Sequence, residues 1–397
     1  MTVVEPSLAW LLAPLTVETF LDDVFAGGHH HIKRGRPDYF APLLRGSTAL
    51  DELLGHLQPE SSAVHAVRGD QYRDFEAYRL ADDTLDIAGV RKDLAEGYTI
   101  ILEHLERYVR AITGLSHTIE IELDFATQVN AYVTPPESAG FLPHYDHHDV
   151  MILQIEGSKT WHLYGDTAVA PLDMQRRKEV VEVFGADLPE PTDLVLQAGD
   201  TLYLPRGQVH AAETGPEPSI HLTVGIHVPS VLTLLTHMLQ LLSFKDDRIH
   251  TRLPARHLGD AGIRESLRGI VGDALDILSD PDVIAGGLDA FEDLLVRRGR
   301  CPPVGQVSNA VDVGVETVVV KHRPLYSRVI NAEDRVALQF AQLLISAGSD
   351  HESAMRFLSR RSEPFRVGDL PGLTANQQVE LARSLLTSGF LARLPAG

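Results

Sequence analysis

Leu142-Pro143-His144-Tyr145-Asp146-His147-His148-Asp149-Val150-Met151-Ile152-Leu153-Gln154-Ile155-Glu156-Gly157-Ser158-Lys159-Thr160-Trp161 is the stretch on which the reading of the fold turns. It sets a His-X-Asp ahead of an apolar run, closes that run with the turn Glu156-Gly157-Ser158, and starts again at Lys159. Residues i and i+2 of an extended chain point to one side, so His144 and Asp146 can present an imidazole and a carboxylate together. The third ligand expected is His210, 66 residues beyond His144, where Gly199-Asp200 feeds Thr201-Leu202-Tyr203-Leu204 and Pro205-Arg206-Gly207 delivers the histidine. Two imidazoles and one carboxylate on one face of an octahedral metal leave three adjacent positions open, the facial triad of non-haem Fe(II) oxygenases. A closed structural zinc site usually draws on thiolates, and Cys301 is the only cysteine. With 19 histidines a lone His-X-Asp arises by chance; order and separation give this one its weight. His147 is expected to point outward and His148 inward, both outside the metal shell, and Trp161 to pack the barrel. His29-His30-His31 makes a poor metal site, because consecutive strand residues face opposite ways.

Outward from that stretch, period-two runs predict strands at Val129–Val133, Val150–Ile155, Thr160–Tyr164, Val180–Phe184, Thr201–Leu204 and Ile220–His227, divided by turn signals. Ile119, Ile121 and Leu123, alternating with Glu120 and Glu122, read as one more strand. Such short, punctuated strands argue for a barrel or sandwich. Upstream, Leu94, Tyr98, Ile101, Leu102, Leu105, Val109 and Ile112 predict an amphipathic helix from Lys92 to Ile112. The first ninety residues read as short helices and loops around aromatic anchors such as Trp10 and Phe40. Beyond Pro229 helices are expected at Ser230–Ser243, Ala261–Leu278 and Pro281–Arg297, then strands at Glu316–Lys321 and Arg335–Ile345. The tail reads helix, turn, helix, with a capping box at Thr374 and Gln377 and Gly389 as the stop.

The whole chain bounds the function. Its 397 residues exceed one ordinary core, which predicts two or three domains. No apolar run approaches a membrane span, and the N-terminus lacks a secretory pattern, so a cytoplasmic protein with no membrane partner is expected. A net charge of −20 repels nucleic acid and would attract a basic partner.

The combined motifs resemble the JmjC-type cupin oxygenases, more narrowly the ribosomal-oxygenase family of protein hydroxylases. Three stretches carry the resemblance: Asn130-Ala131-Tyr132-Val133-Thr134-Pro135-Pro136, His144 to Trp161, and Gly199 to His210 followed by His221-Leu222-Thr223. The resemblance implies a mixed α and β fold: a double-stranded β-helix (cupin/JmjC) barrel with flanking helices, a helical dimerisation region and a C-terminal winged-helix-like domain. The expected divisions are a cap at 1–90, the barrel at 91–228, dimerisation helices at 229–300 and the winged-helix-like part at 301–397. It implies Fe(II), 2-oxoglutarate and O2, with His144, Asp146 and His210 as ligands rather than acid–base catalysts. Lys159 would pair with the distal carboxylate of 2-oxoglutarate; an unpaired buried lysine is otherwise costly. Asn130, Tyr132 and Thr223 would also line the co-substrate pocket, with His148 and His221 as substrate-pocket candidates. Asn130 and Tyr132 could instead fill the barrel with a local hydrogen bond, and His148 could face solvent. The expected reaction hydroxylates an Arg or His side chain of a ribosomal or other basic protein or peptide, in a homodimer. Two alternatives are a hydroxylase of a small molecule or biosynthetic peptide, and a catalytically silent cupin sensor whose winged helix binds DNA. From Asp350 to Gly397 six arginines meet five acidic residues, so the basic face of a DNA reader is missing.

Overall fold

The computed structural model describes residues 6–394 except 26, 53, 55–62, 167–187, 246, 251, 254, 256, 259, 300–311, 323–324 and 333. The expected strand Val180–Phe184 lies outside the described residues. The chain divides into two compact units, Met1–Val228 and Pro229–Gly397.

The first unit is built on two antiparallel sheets. Its strands are β1 (His30–Ile32), β2 (Val64–Arg68), β3 (Gln71–Arg73), β4 (Thr99–Leu102), β5 (Ala126–Thr134), β6 (Asp149–Glu156), β7 (Ser158–Asp166), β8 (Thr192–Gln197), β9 (Thr201–Leu204), β10 (Gln208–Glu213) and β11 (Ser219–His227). Eight of them run in the order β1-β9-β6-β11-β5-β4-β2-β3, and the smaller sheet runs β10-β7-β8. Strand alternation divides their side chains into an outer and an inner set. On the outer face Met151, Leu153 and Ile155 of β6 join Val129 and Ala131 of β5 and Leu222, Val224 and Ile226 of β11. They share one core with Leu8, Leu11, Leu12, Ile112, Leu115 and Ile119 from the helices. The inner residues Val150 and Ile152 pack with Trp161, Leu163, Leu196, Leu202 and Leu204 between the sheets. Burial on both faces is why β6 reads as a continuous apolar run rather than an alternating one.

Two glycines make the tight turns possible. Gly157, between β6 and β7, has φ +68°, and a Cβ there would sit 2.0 Å from the Pro218 carbonyl oxygen. Gly199 has φ +92°, and its Cβ would sit 2.1 Å from the Arg36 oxygen. Both positions therefore require a residue without a side chain. Beyond Gly199, the Asp200 carboxylate accepts from the Arg34 backbone N–H at 3.0 Å and lies 3.1 Å from His31 Nε2. His30 and His31 of the triple-histidine run thus lie in β1, with His31 anchored to the turn that leads to β9.

Three expectations are corrected here. Lys92–Ile112 is not one helix: a helix Ile87–Ala95 ends before Gly97 (φ +92°), β4 follows, and a new helix spans Arg110–Leu123. The left-handed glycine breaks the helical path, and all four β4 residues are buried in the sheet. Ile119–Leu123 is accordingly the end of a helix, whose buried face is Ile112, Leu115, Ile119 and Leu123, with Ile121 exposed. The two-residue alternation there was only locally strand-like; the spacing of three and four governs. The first ninety residues also supply strands as well as helices, since β1, β2 and β3 extend the large sheet.

In the second unit the helices are Val231–Lys245, Ala261–Leu278 and Pro281–Arg298. Small sheets follow: β13 (Ser327–Ala332), β14 (Arg335–Phe340) and β15 (Leu343–Gly348) in sequential order, and β12 (Val318–Lys321) between β16 (Phe365–Arg366) and β17 (Leu391–Arg393). Helices Glu352–Arg360 and Ala375–Thr387 share a core with them. The capping box of Thr374 and Gln377 is formed, and Gly389 has φ +80°. No helix among the described residues is long and apolar enough to cross a membrane.

Candidate metal centre and co-substrate cavity

His144, Asp146 and His210 come together, with one donor atom of each within 4.8 Å of the other two. The segment carrying the first two is not a regular strand. His144 instead forms an isolated bridge with His210, through His144 N–H to His210 O at 3.0 Å and His210 N–H to His144 O at 2.8 Å. Gly207 N–H, donating to the Asp146 carbonyl at 3.0 Å, holds the next residues. Pro143 has no N–H to continue a ladder, so this paired contact is what fixes the geometry.

The second hydrogen bond of each imidazole decides which nitrogen faces the centre. His144 Nδ1 lies 2.9 Å from the Leu142 carbonyl, and His210 Nδ1 lies 2.9 Å from the Gln208 carbonyl. A carbonyl can only accept, so both Nδ1 atoms carry the proton and Nε2 is the donor toward a metal. The rings stand 4.4 Å apart, and His210 Nε2 lies 3.7 Å from Asp146 Oδ2. Two neutral imidazoles and a carboxylate suit Fe(II). The donor set therefore fits the metal.

The triad borders a cavity of about 600 Å3 inside the first unit. Every other site residue singled out from the sequence lines it: Lys159, Asn130, Tyr132, Thr223, His148 and His221. Lys159, inward on β7, is 3% exposed, and its Nζ donates to Thr134 Oγ1 at 2.9 Å. Burial alone pushes its pKa down to about 7. His221 is stacked on Tyr132 at 4.7 Å, and burial, with Lys159 and His210 nearby, holds its pKa well below the ordinary histidine value. His221 Nδ1 and Trp161 Nε1 are buried polar atoms without a protein hydrogen-bond partner. A cavity with a buried lysine and such polar atoms fits an anionic, hydrogen-bonding ligand.

The remaining residues divide. Asn130 spends its carbonyl on the fold, accepting from His104 N–H and Gln128 Nε2 at 3.1 Å each. His147 stands edge-on to Tyr145, whereas His148 lines the cavity and stacks on His227. Trp161 packs between the sheets as expected, yet its ring also borders the cavity against His210 and His221. Thr134, the partner of Lys159, was legible as an inward residue two beyond Tyr132. His65, Tyr72 and Glu103 also line the cavity, and reading the flanking segments as helix and loop concealed them.

Two antiparallel sheets carrying a His-X-Asp…His cluster are the arrangement of a JmjC-type cupin fold. Residues 109–234 match the JmjC domain family. Among curated relatives, the bifunctional lysine-specific demethylase and histidyl-hydroxylase NO66 of Drosophila mojavensis is 32% identical over 229 residues, 55% of this chain and 24% of the relative. NO66 of Dictyostelium discoideum is 30% identical over 228 residues, 56% of this chain and 43% of the relative. The chain therefore spans less than half the length of either. Among solved structures, the Escherichia coli ribosomal oxygenase YcfD aligns with a TM-score of 0.57 at 18% identity, covering 96% of this chain and 98% of that one. The same protein has been solved with cobalt and 2-oxoglutarate. At that identity the match establishes a shared fold.

Proposed function

We propose that the chain is an Fe(II)- and 2-oxoglutarate-dependent oxygenase that hydroxylates an Arg or His side chain of a basic, ribosomal-type protein. The observation that carries this is one cavity holding both the His144–Asp146–His210 cluster and the buried Lys159, which lacks a carboxylate partner among the described residues. His144, Asp146 and His210 would hold the iron, and Lys159 with Thr134 would hold the far carboxylate of 2-oxoglutarate. When bound, the iron supplies oxidative decarboxylation of 2-oxoglutarate to succinate and CO2, coupled to oxygen insertion into a C–H bond. The chain's residues bind, orient and exclude water: the carbonyls of Leu142 and Gln208 fix the ligand tautomers, and Trp161, Val150 and Ile152 form the apolar wall. The NO66 relatives, named as histidyl-hydroxylases, and the fold shared with a ribosomal oxygenase support a protein substrate. The net charge of −20 suits a basic one.

The test is succinate release with Fe(II), ascorbate, O2 and 2-oxoglutarate, comparing wild type with His144→Ala. Succinate formed by wild type and lost in the variant supports the reading. No succinate from either, with basic ribosomal protein present, refutes it.

The second unit supports a homodimer. Its first helix turns Leu234, Met238 and Leu242 toward its own unit, whereas Val231 (75% exposed), Leu232, Leu235 and Leu239 remain exposed. Only part of the apolar face read from the sequence is therefore used within the chain, and a second copy would cover the rest.

A further inference from the structure

The register of the large sheet gives the cavity two electrically different ends. Along β4 and the residue after it, Thr99, Ile101 and Glu103 alternate toward the cavity. Thr99 Oγ1 lies 3.1 Å from Thr134 Oγ1, which in turn accepts from Lys159, so this is the cationic end. Glu103 is four residues on, roughly 13 Å along an extended strand. Its carboxylate lies 3.3 Å from His65 Nε2, and His65 Nδ1 lies 2.8 Å from the Tyr72 hydroxyl. The imidazole thus stands between the Tyr72 hydroxyl, hydrogen-bonded to its Nδ1, and the Glu103 carboxylate, which faces its Nε2. His65 is 9% exposed and stacked on Tyr72, which fixes where the carboxylate stands. The Glu103 side chain keeps 34% of its surface exposed, and among the described residues no lysine or arginine pairs with it.

We infer that Glu103 is the specificity-determining residue of the cavity, receiving the cationic head of the substrate side chain while Tyr72 and His65 position its carboxylate. This rests on the oxygenase reading and narrows its substrate to a side chain bearing a permanent positive charge, a guanidinium or an ammonium. A carboxylate at the edge of a half-enclosed cavity gains a charge-assisted bond from such a group and little from a neutral imidazole or amide. The planar His65–Tyr72 pair beside it offers a face over which a cation can lie. The side chain's carbons would then stand between Glu103 and the metal cluster, while the opposite, Lys159 end takes the dicarboxylate.

The experiment titrates blocked pentapeptides Gly-Gly-X-Gly-Gly, with X as Arg, Lys, His, Gln or Glu, into full-length protein. The protein is saturated with Mn(II) and 2-oxoglutarate at pH 8 and low salt, and binding is read by ligand-observed NMR up to millimolar concentration. The Arg or the Lys peptide is expected to bind at least tenfold tighter than the His, Gln and Glu peptides, and Glu103→Gln to abolish that preference. Whichever of the two binds tighter identifies the head group. Glu103→Asp, shorter but still charged, is expected to retain part of the preference, and this separates loss of charge from misfolding. Equal binding of all five peptides, no binding of any, or a charge preference that survives Glu103→Gln overturns the inference alone. Failure of Mn(II) and 2-oxoglutarate to bind overturns the oxygenase reading and this inference with it.

Discussion

Binding of 2-oxoglutarate should draw a proton onto Lys159. In the ligand-free cavity the ammonium gains only the Thr134 hydroxyl, and burial moves its pKa from 10.5 to about 7. At 1.36 kcal/mol per unit, that depression corresponds to about 5 kcal/mol favouring the neutral amine. A carboxylate arriving at Nζ favours the charged form again and raises the pKa in the complex. The sign follows. The free protein loses its proton as pH rises through about 7, while the complex keeps it, so affinity is full below that pH and falls above it. With the free pKa at about 7 and the bound lysine protonated throughout, affinity should fall roughly fifteen-fold between pH 7 and 8.5. His221 also faces the lysine, but its pKa is pushed well below the ordinary value, so it stays neutral across this window. Calorimetry of 2-oxoglutarate binding to Mn(II)-loaded protein, in two buffers of different ionisation enthalpy, measures both the affinity and the proton taken up. Lys159→Arg is the control, because a guanidinium stays charged and should flatten the profile. An affinity independent of pH from 7 to 9 with no proton uptake would refute the reasoning. So would an unaltered profile in Lys159→Arg.

Three further outcomes are expected. Gly225→Ala places a Cβ 2.7 Å from the His148 ring, and Gly225 is paired on both sides, to Gln128 and Val150, so the ring must give way. A loss of about 1–3 kcal/mol is expected, read as a lower midpoint in urea; an unchanged midpoint would contradict it. Thr374→Ala removes the cap of helix Ala375–Thr387 and should lower the stability of the second unit by about 1 kcal/mol. Wild type should have the mass of two chains by light scattering at micromolar concentration, and Leu235→Asp the mass of one; a monomeric wild type would exclude the dimer.

The metal-site cluster and the cavity residues Lys159, Asn130, Tyr132, Thr223, His148 and His221 were legible in the sequence. His-X-Asp ahead of an apolar strand, a glycine turn, an inward lysine and a distant Pro-X-Gly…His are local patterns, and strand alternation assigns their sides without knowledge of the sheet. The helices beyond Pro229 were legible for the same reason: their periodicity persists over 15 to 18 residues. The tertiary structure decided what short segments become. Thr99–Leu102 and Ile119–Leu123 each carry too few residues to separate a period of two from one of 3.6, and pairing with β2 and β5 or packing on the core settles them. The triad's geometry was also decided there, since His144 and His210 are held by each other's backbone rather than by a continuous strand. The same holds for Glu103, His65 and Tyr72. They are 38, 31 and 7 residues apart in sequence, and only the hydrogen bonding of β2, β3 and β4 brings them to one end of the cavity that Lys159 closes at the other.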